Sequence, residues 1–122
     1  MATEKEILGA FERIQAEVPG FIACSLVDLD SGMTLAVRSA RPDFDLSAAS
    51  AFNSEIVKQK LKTIKALNLK STLEDMLLTL SDQLHLIKLV GTSAFVYLAA
   101  ERGTTNLAIM RTTVNKQTAG LN

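Results

Sequence analysis

The 122-residue sequence contains no tryptophan, one tyrosine, one histidine and one cysteine, and it carries no net charge. Each scarcity closes a route. A lone cysteine, Cys24, cannot build an internal disulfide framework, and a reducing compartment is the simpler setting for it. One cysteine and one histidine leave any zinc site to be completed by carboxylates, an unusual ligand set, so no metal is expected. The balance of 13 basic and 13 acidic residues removes the electrostatic drive towards nucleic acid. The five phenylalanines and the tyrosine fall mostly at apolar core positions, which leaves no stacking platform for bases. No apolar run approaches the roughly 20 residues of a membrane span, and the opening MATEKEILGAFERI has no apolar signal region. The expectations are a cytoplasmic protein, no membrane insertion and no nucleic-acid partner.

Catalytic signatures are equally scarce. His85 sits inside LHLIKLV, mid-strand between leucines, and no G-x-S-x-G turn offers it a serine. Asp28, Asp30 and Gly32 in DLDSG have the flavour of a calcium loop, but the twelfth position is Ser39 where a bidentate glutamate belongs, so a hairpin turn is the reading. Glu74 and Asp75 are adjacent in a strand-like segment, hence on opposite faces and unable to act as an acid/base pair. Cys24 has no basic neighbour in sequence and reads as a buried, inert thiol. No glycine-rich phosphate loop is present. The expectation is a protein without catalytic residues or cofactor.

What the chain does have is a clear sequence of elements. Thr3 with Glu6 forms a capping box, and Ile7, Phe11, Ile14 and Val18 then recur on one helical face until Pro19-Gly20. FIACSLVD and MTLAVR flank a polar break ending in Gly32, a hairpin. After the loop SARPDFDL, Ser47 is a plausible N-cap for a long helix that ends at Asn68. Three apolar segments follow, TLEDMLLTLS, LHLIKLV and AFVYLAAE, joined by breaks at Ser81-Asp82-Gln83 and Gly91-Thr92-Ser93. Such short breaks join antiparallel neighbours only, since a parallel crossover needs a dozen or more residues. NLAIMRTTVNK closes the chain as a third helix. The pattern is α-β-β-α-β-β-β-α over residues 1–122, an α/β chain of five strands and three helices read as one domain.

Helix number then raises a packing problem. The strands show little apolar/polar alternation, so both sheet faces need cover. If the terminal helices take one face, the long helix is left alone on the other. A helix about 10 Å wide cannot roof five strands spanning roughly 20 Å. A second copy of the chain is the economical cover, which makes a homodimer the expected state. The long helix also carries Lys58, Lys60, Lys62 and Lys65. These read either as a solvated face or as an electrostatic match to an acidic protein surface.

The segment AFVYLAAERGTTNLAIMR resembles the Roadblock family of dynein light-chain and GTPase-regulator domains, in which an apolar strand, a short polar turn and an Asn-Leu-small run follow one another. Here these are Phe95 to Ala100, Glu101 to Thr105, and Asn106, Leu107 and Ala108. The hairpin ACSLVDLDSGMTLA is similar to the family's early strand pair. The resemblance implies an α/β sandwich around a five-stranded antiparallel sheet ordered 2-1-5-4-3 and a homodimer paired through the second helix and third strand. It further implies a non-enzymatic module that binds, and in the bacterial gliding-motility type regulates, a small Ras-like GTPase. On that basis Phe52, Ile56 and Val57 of the helix and Met76, Leu78 and Leu80 of the strand are the expected dimer contacts. Lys58, Lys62 and Lys65 are the expected partner-binding residues. The alternative is a small-ligand sensor, in which Cys24, His85 and Tyr97 would supply polar groups to an apolar pocket.

Overall fold

A computed structural model describes residues 2–121. The elements run α1 (Glu4–Glu17), β1 (Phe21–Asp28), β2 (Thr34–Ser39), α2 (Leu46–Ala66), β3 (Asp75–Thr79), β4 (Gln83–Val90), β5 (Ala94–Glu101) and α3 (Leu107–Thr118). The five strands form one antiparallel sheet in the order β2-β1-β5-β4-β3. Both the element order and the sheet order are those expected.

Local chemistry explains most boundaries. Thr3 accepts from the Glu6 amide at 3.1 Å and opens α1, and Gly20 at φ +72° turns the chain into β1. Asn106 caps α3 by accepting from the Ile109 amide at 2.9 Å. The N-cap of α2 is Asp45 and not Ser47: the Asp45 carboxylate accepts from the Ala48 amide at 3.0 Å, and its carbonyl accepts from Ala49. A carboxylate also meets the positive end of the helix dipole, which a serine hydroxyl does less well. Asn68 sits at φ 56° just past the C-cap Leu67 and terminates the helix as predicted. β3 is shorter than the apolar segment that encodes it: its ladder with β4 runs only from Asp75 opposite Lys88 to Thr79 opposite Leu84.

Two cores lie on the two sides of the sheet. Phe11, Ile14 and Val18 of α1 and Met110 and Val114 of α3 pack on Cys24, Leu26, Leu86, Val96 and Leu98. On the other side α2 contributes Leu46 and Val57, which pack with Ala23, Val27, Ile87, Phe95, Tyr97 and Ala99. The terminal helices thus share one face and α2 stands alone on the other.

Candidate functional site

Helix α2 does not sit over the middle of its face. Gly32, in the β1–β2 turn, lies so close to it that a Cβ there would meet Ser54 Oγ at 2.9 Å, and Thr34 donates to Ser50 Oγ at 2.8 Å. Lys58 Nζ donates to the Asp30 carbonyl of the same turn at 2.9 Å. The helix is anchored on the β1–β2 hairpin. On its other side an open groove of about 500 Å³ separates it from β3, lined by Glu55, Ile56, Gln59, Lys60, Thr63 and Met76.

Rotation around α2 sorts its side chains into three sets. Ser50, Asn53, Ser54 and Val57 point inward and are buried. Ile56 and Lys58 are two steps of about 100° apart, so they emerge on opposite sides of the helix. Phe52 and Ile56 belong to the flank towards β3, at 72% and 38% exposure. Lys58, Lys62 and Lys65 belong to the flank towards the hairpin.

The predicted contact residues distribute unevenly over this surface. Phe52 and Ile56 are exposed, and Met76 and Leu78 are half-buried on the sheet face beneath α2. Val57 is fully buried in the protomer's own core, so it holds α2 to the sheet and has no surface to offer a partner. A one-residue step along a helix moves a side chain by about 100°, and no apolar count separates Ile56 from Val57 in advance. Leu80 lies one residue past β3 in the turn, where its amide donates to the Gln83 carbonyl and its carbonyl accepts from Arg102. Of the three lysines, Lys58 is committed to the Asp30 carbonyl and lies 3.6 Å from the Glu55 carboxylate. Lys62 and Lys65 are exposed.

The same sheet face brings together His85 and Tyr97, as the ligand-sensor reading had them, and adds Gln83 and Phe44, which it did not include. Tyr97 Oη and His85 Nδ1 are 3.1 Å apart, and His85 Nε2 is 2.7 Å from Gln83 Oε1. A neutral imidazole with its proton on Nε2 satisfies both contacts, donating to Gln83 and accepting from the tyrosine hydroxyl. The rings meet edge-on at 5.3 Å, and Phe44 lies parallel to Tyr97 at 6.5 Å. Burial lowers the His85 pKa, with Asp82 opposing, and burial raises Tyr97 to about 12. His85 is directly opposite Leu78 in the ladder, so the cluster underlies the open part of the face. The strand parity of 85 and 97 is visible in sequence, but the β4–β5 register that makes them neighbours is not.

Cys24 belongs elsewhere. It pairs with Leu98 in the opposite core, and burial raises its pKa so that it stays a thiol. The structure therefore separates it from His85 and Tyr97, and the three residues proposed to line a ligand pocket do not share one. A second pairing missed in sequence joins α3 to the sheet edge, where Arg111 reaches both Asp75 carboxylate oxygens at 2.9 and 3.0 Å. Asp75 is thus engaged in structure and not merely solvated. Asp28 is likewise occupied: its carboxylate accepts from the Ser31 amide at 3.0 Å and hydroxyl at 2.6 Å, which lowers its pKa and fixes the hairpin turn. Among the described residues no group of three or more His, Cys, Asp or Glu side chains is placed to hold a metal, and no helix is long and apolar enough to cross a membrane.

No protein-family model matches the sequence, and no curated protein matches it significantly. Solved structures do match. MglB of Myxococcus xanthus superposes with a TM-score of 0.88 at 13% identity, covering 99% of this chain and 88% of that one. A Roadblock/LC7 domain from Streptomyces avermitilis gives 0.79 at 15% identity, with 99% and 95% covered. MglC of Myxococcus xanthus gives 0.63 at 19% identity, with 93% and 94% covered. The chain has the Roadblock/LC7 fold.

Proposed function

We propose that this chain is a non-enzymatic, homodimeric interaction module that binds and regulates a small Ras-like GTPase, with the two flanks of α2 serving the two partners. The observation that carries the reading is the separation of those flanks. Ile56 and the half-buried Met76 line the open groove, with Phe52 exposed on the same flank of α2 and Leu78 half-buried along β3, an apolar surface of the kind a second copy would cover. Lys62 and Lys65 emerge on the far side, exposed and clear of that contact. One helix can therefore serve in dimerisation and still present positive charge to an acidic partner surface. The Roadblock/LC7 fold supports the GTPase class of partner and a role in binding. The cytoplasm is the compartment in which such a partner would be met.

The test is capture from a lysate of the source organism, with the wild-type protein and a Lys62→Glu/Lys65→Glu variant, each run with GDP and with a non-hydrolysable GTP analogue. The proposal expects a Ras-sized GTPase enriched in one nucleotide condition and lost with the variant. Equal recovery in both nucleotide states removes the regulatory reading, and equal recovery by wild type and variant removes the lysine site.

A further inference from the structure

The chain's one histidine stands where the seat of α2 meets the open half of the sheet. His85 pairs with Leu78 across the β3–β4 ladder and with Ala99 across the β4–β5 ladder, so its half-buried ring shares a face with Leu78 and Met76 on one side and Tyr97 on the other. Hydrogen bonds cross this face with a single polarity. Asn53, buried on the inner side of α2, donates to Tyr97 Oη; the tyrosine hydroxyl donates to His85 Nδ1 at 3.1 Å; and His85 Nε2 donates to Gln83 Oε1 at 2.7 Å. Nδ1 is therefore an acceptor and the ring holds one proton. A second proton turns Nδ1 into a donor, and the tyrosine hydroxyl and the Asn53 amide must both reverse to receive it.

Little around the ring compensates a positive charge. Among the described residues Asp82, in the β3–β4 turn, is the charged group whose field reaches it. Glu101, opposite Gln83 on β5, is taken up by Arg41 of the loop before α2. Asp45 of that loop caps α2, and Phe44 meets the imidazole edge-on at 6.4 Å. β3 faces the ring with Leu78, and the groove wall of α2 carries one charge of each sign, Glu55 and Lys60.

We propose that His85 makes self-association of this chain sensitive to pH: the two-chain form holds it as the neutral imidazole, and proton uptake there releases single chains. The inference rests on the proposed homodimer, in which a second copy covers Ile56, Met76 and Leu78. Covering Leu78 takes water from the imidazole beside it, and the side chains that the copy brings, Phe52, Ile56, Met76 and Leu78, hold no charge to replace that water. The ring then binds a proton less readily in the two-chain form than in the single chain. By linkage, association is at full strength above the single chain's pKa and weakens as the pH falls through it, levelling off once the lower two-chain value is passed. Burial already places the single-chain value below the ordinary 6.5, so the loss begins from there downwards. Each unit of difference is about tenfold per ring, and about a hundredfold for the two rings of a dimer. Histidine alone ordinarily titrates between pH 5 and 8 among side chains, and the chain has one, so a single residue carries the effect.

Two measurements test this together. Sedimentation equilibrium at pH 7.5, 6.5 and 5.5 gives the dissociation constant of the wild type and of His85→Gln. The imidazole C–H resonances, a single set in this chain, follow the His85 titration in the wild type and in Ile56→Ser, which removes apolar contact without adding a charge. The wild-type dissociation constant should rise about tenfold or more between pH 7.5 and 5.5, and the rise should be absent from His85→Gln whatever its affinity at pH 7.5. The wild-type ring should titrate at lower pH than that of Ile56→Ser, a comparison that holds even where His85→Gln does not fold. A wild type that is a single chain at every pH removes the dimer and this inference with it. A two-chain wild type whose His85 titrates as in Ile56→Ser, or whose pH dependence survives in His85→Gln, overturns the inference and leaves the dimer standing.

Discussion

His85 shows most directly how one side chain links environment to stability. Its pKa is lowered in the folded protein, chiefly by burial, so below about 6.5 the unfolded chain binds a proton that the folded chain resists. Stability is therefore full above that value and falls as the pH drops from it towards the lowered folded pKa. Thermal melts at pH 7.5 and 5.5 should show a larger loss of Tm for the wild type than for His85→Gln. An equal loss in both would place the titration elsewhere. Tyr97→Phe removes the hydroxyl that His85 accepts from and should cost about 1 kcal/mol in chemical denaturation. Sequence analysis identified His85 and Tyr97 as polar residues in apolar strands but grouped them with Cys24. Strand parity separates Cys24 from Tyr97 only once the register of β1 on β5 is known.

At the scale of elements, the helices and hairpins were legible because their signals are local. Thr3, Gly20, Gly32 and Asn68 each perform the expected backbone task. The misplaced cap of α2 arose where two acceptors, Asp45 and Ser47, stand two residues apart. Asp45→Ala should destabilise the protein by about 1 kcal/mol, and Ser47→Ala should have little effect in the same denaturation measurement. The Arg111–Asp75 pair was illegible, since 36 residues separate its members and only the packed sheet edge brings them together. Arg111 is 43% and Asp75 19% exposed, so solvent screens the pair and a double-mutant cycle should return about 1 kcal/mol or less. A coupling near zero would mean that the pair adds nothing to the hold that α3 has through its buried Met110 and Val114 and its bonds to α1.

At the scale of the molecule, the arithmetic of three helices against five strands anticipated an under-covered sheet. The structure gives that argument a location: α2 leans on the β1–β2 hairpin and leaves the β3 side open. What the count could not supply was the rotation of α2, which sends Val57 inward and separates Ile56 from Lys58, Lys62 and Lys65. In the proposed arrangement the dimer contact and the partner site occupy different flanks, so substitutions on the two should act independently.

Sedimentation equilibrium of the wild type, Ile56→Asp and Lys62→Glu/Lys65→Glu tests this arrangement most directly. The expected result is a two-chain species for the wild type and the lysine variant, and a folded single chain for Ile56→Asp, because an unpaired carboxylate in an apolar contact is costly. Phe52→Asp, at a position 72% exposed in the protomer, guards against misfolding and should behave as Ile56→Asp does. A wild type that sediments as one chain, or aspartate variants that remain two-chain, would contradict the account.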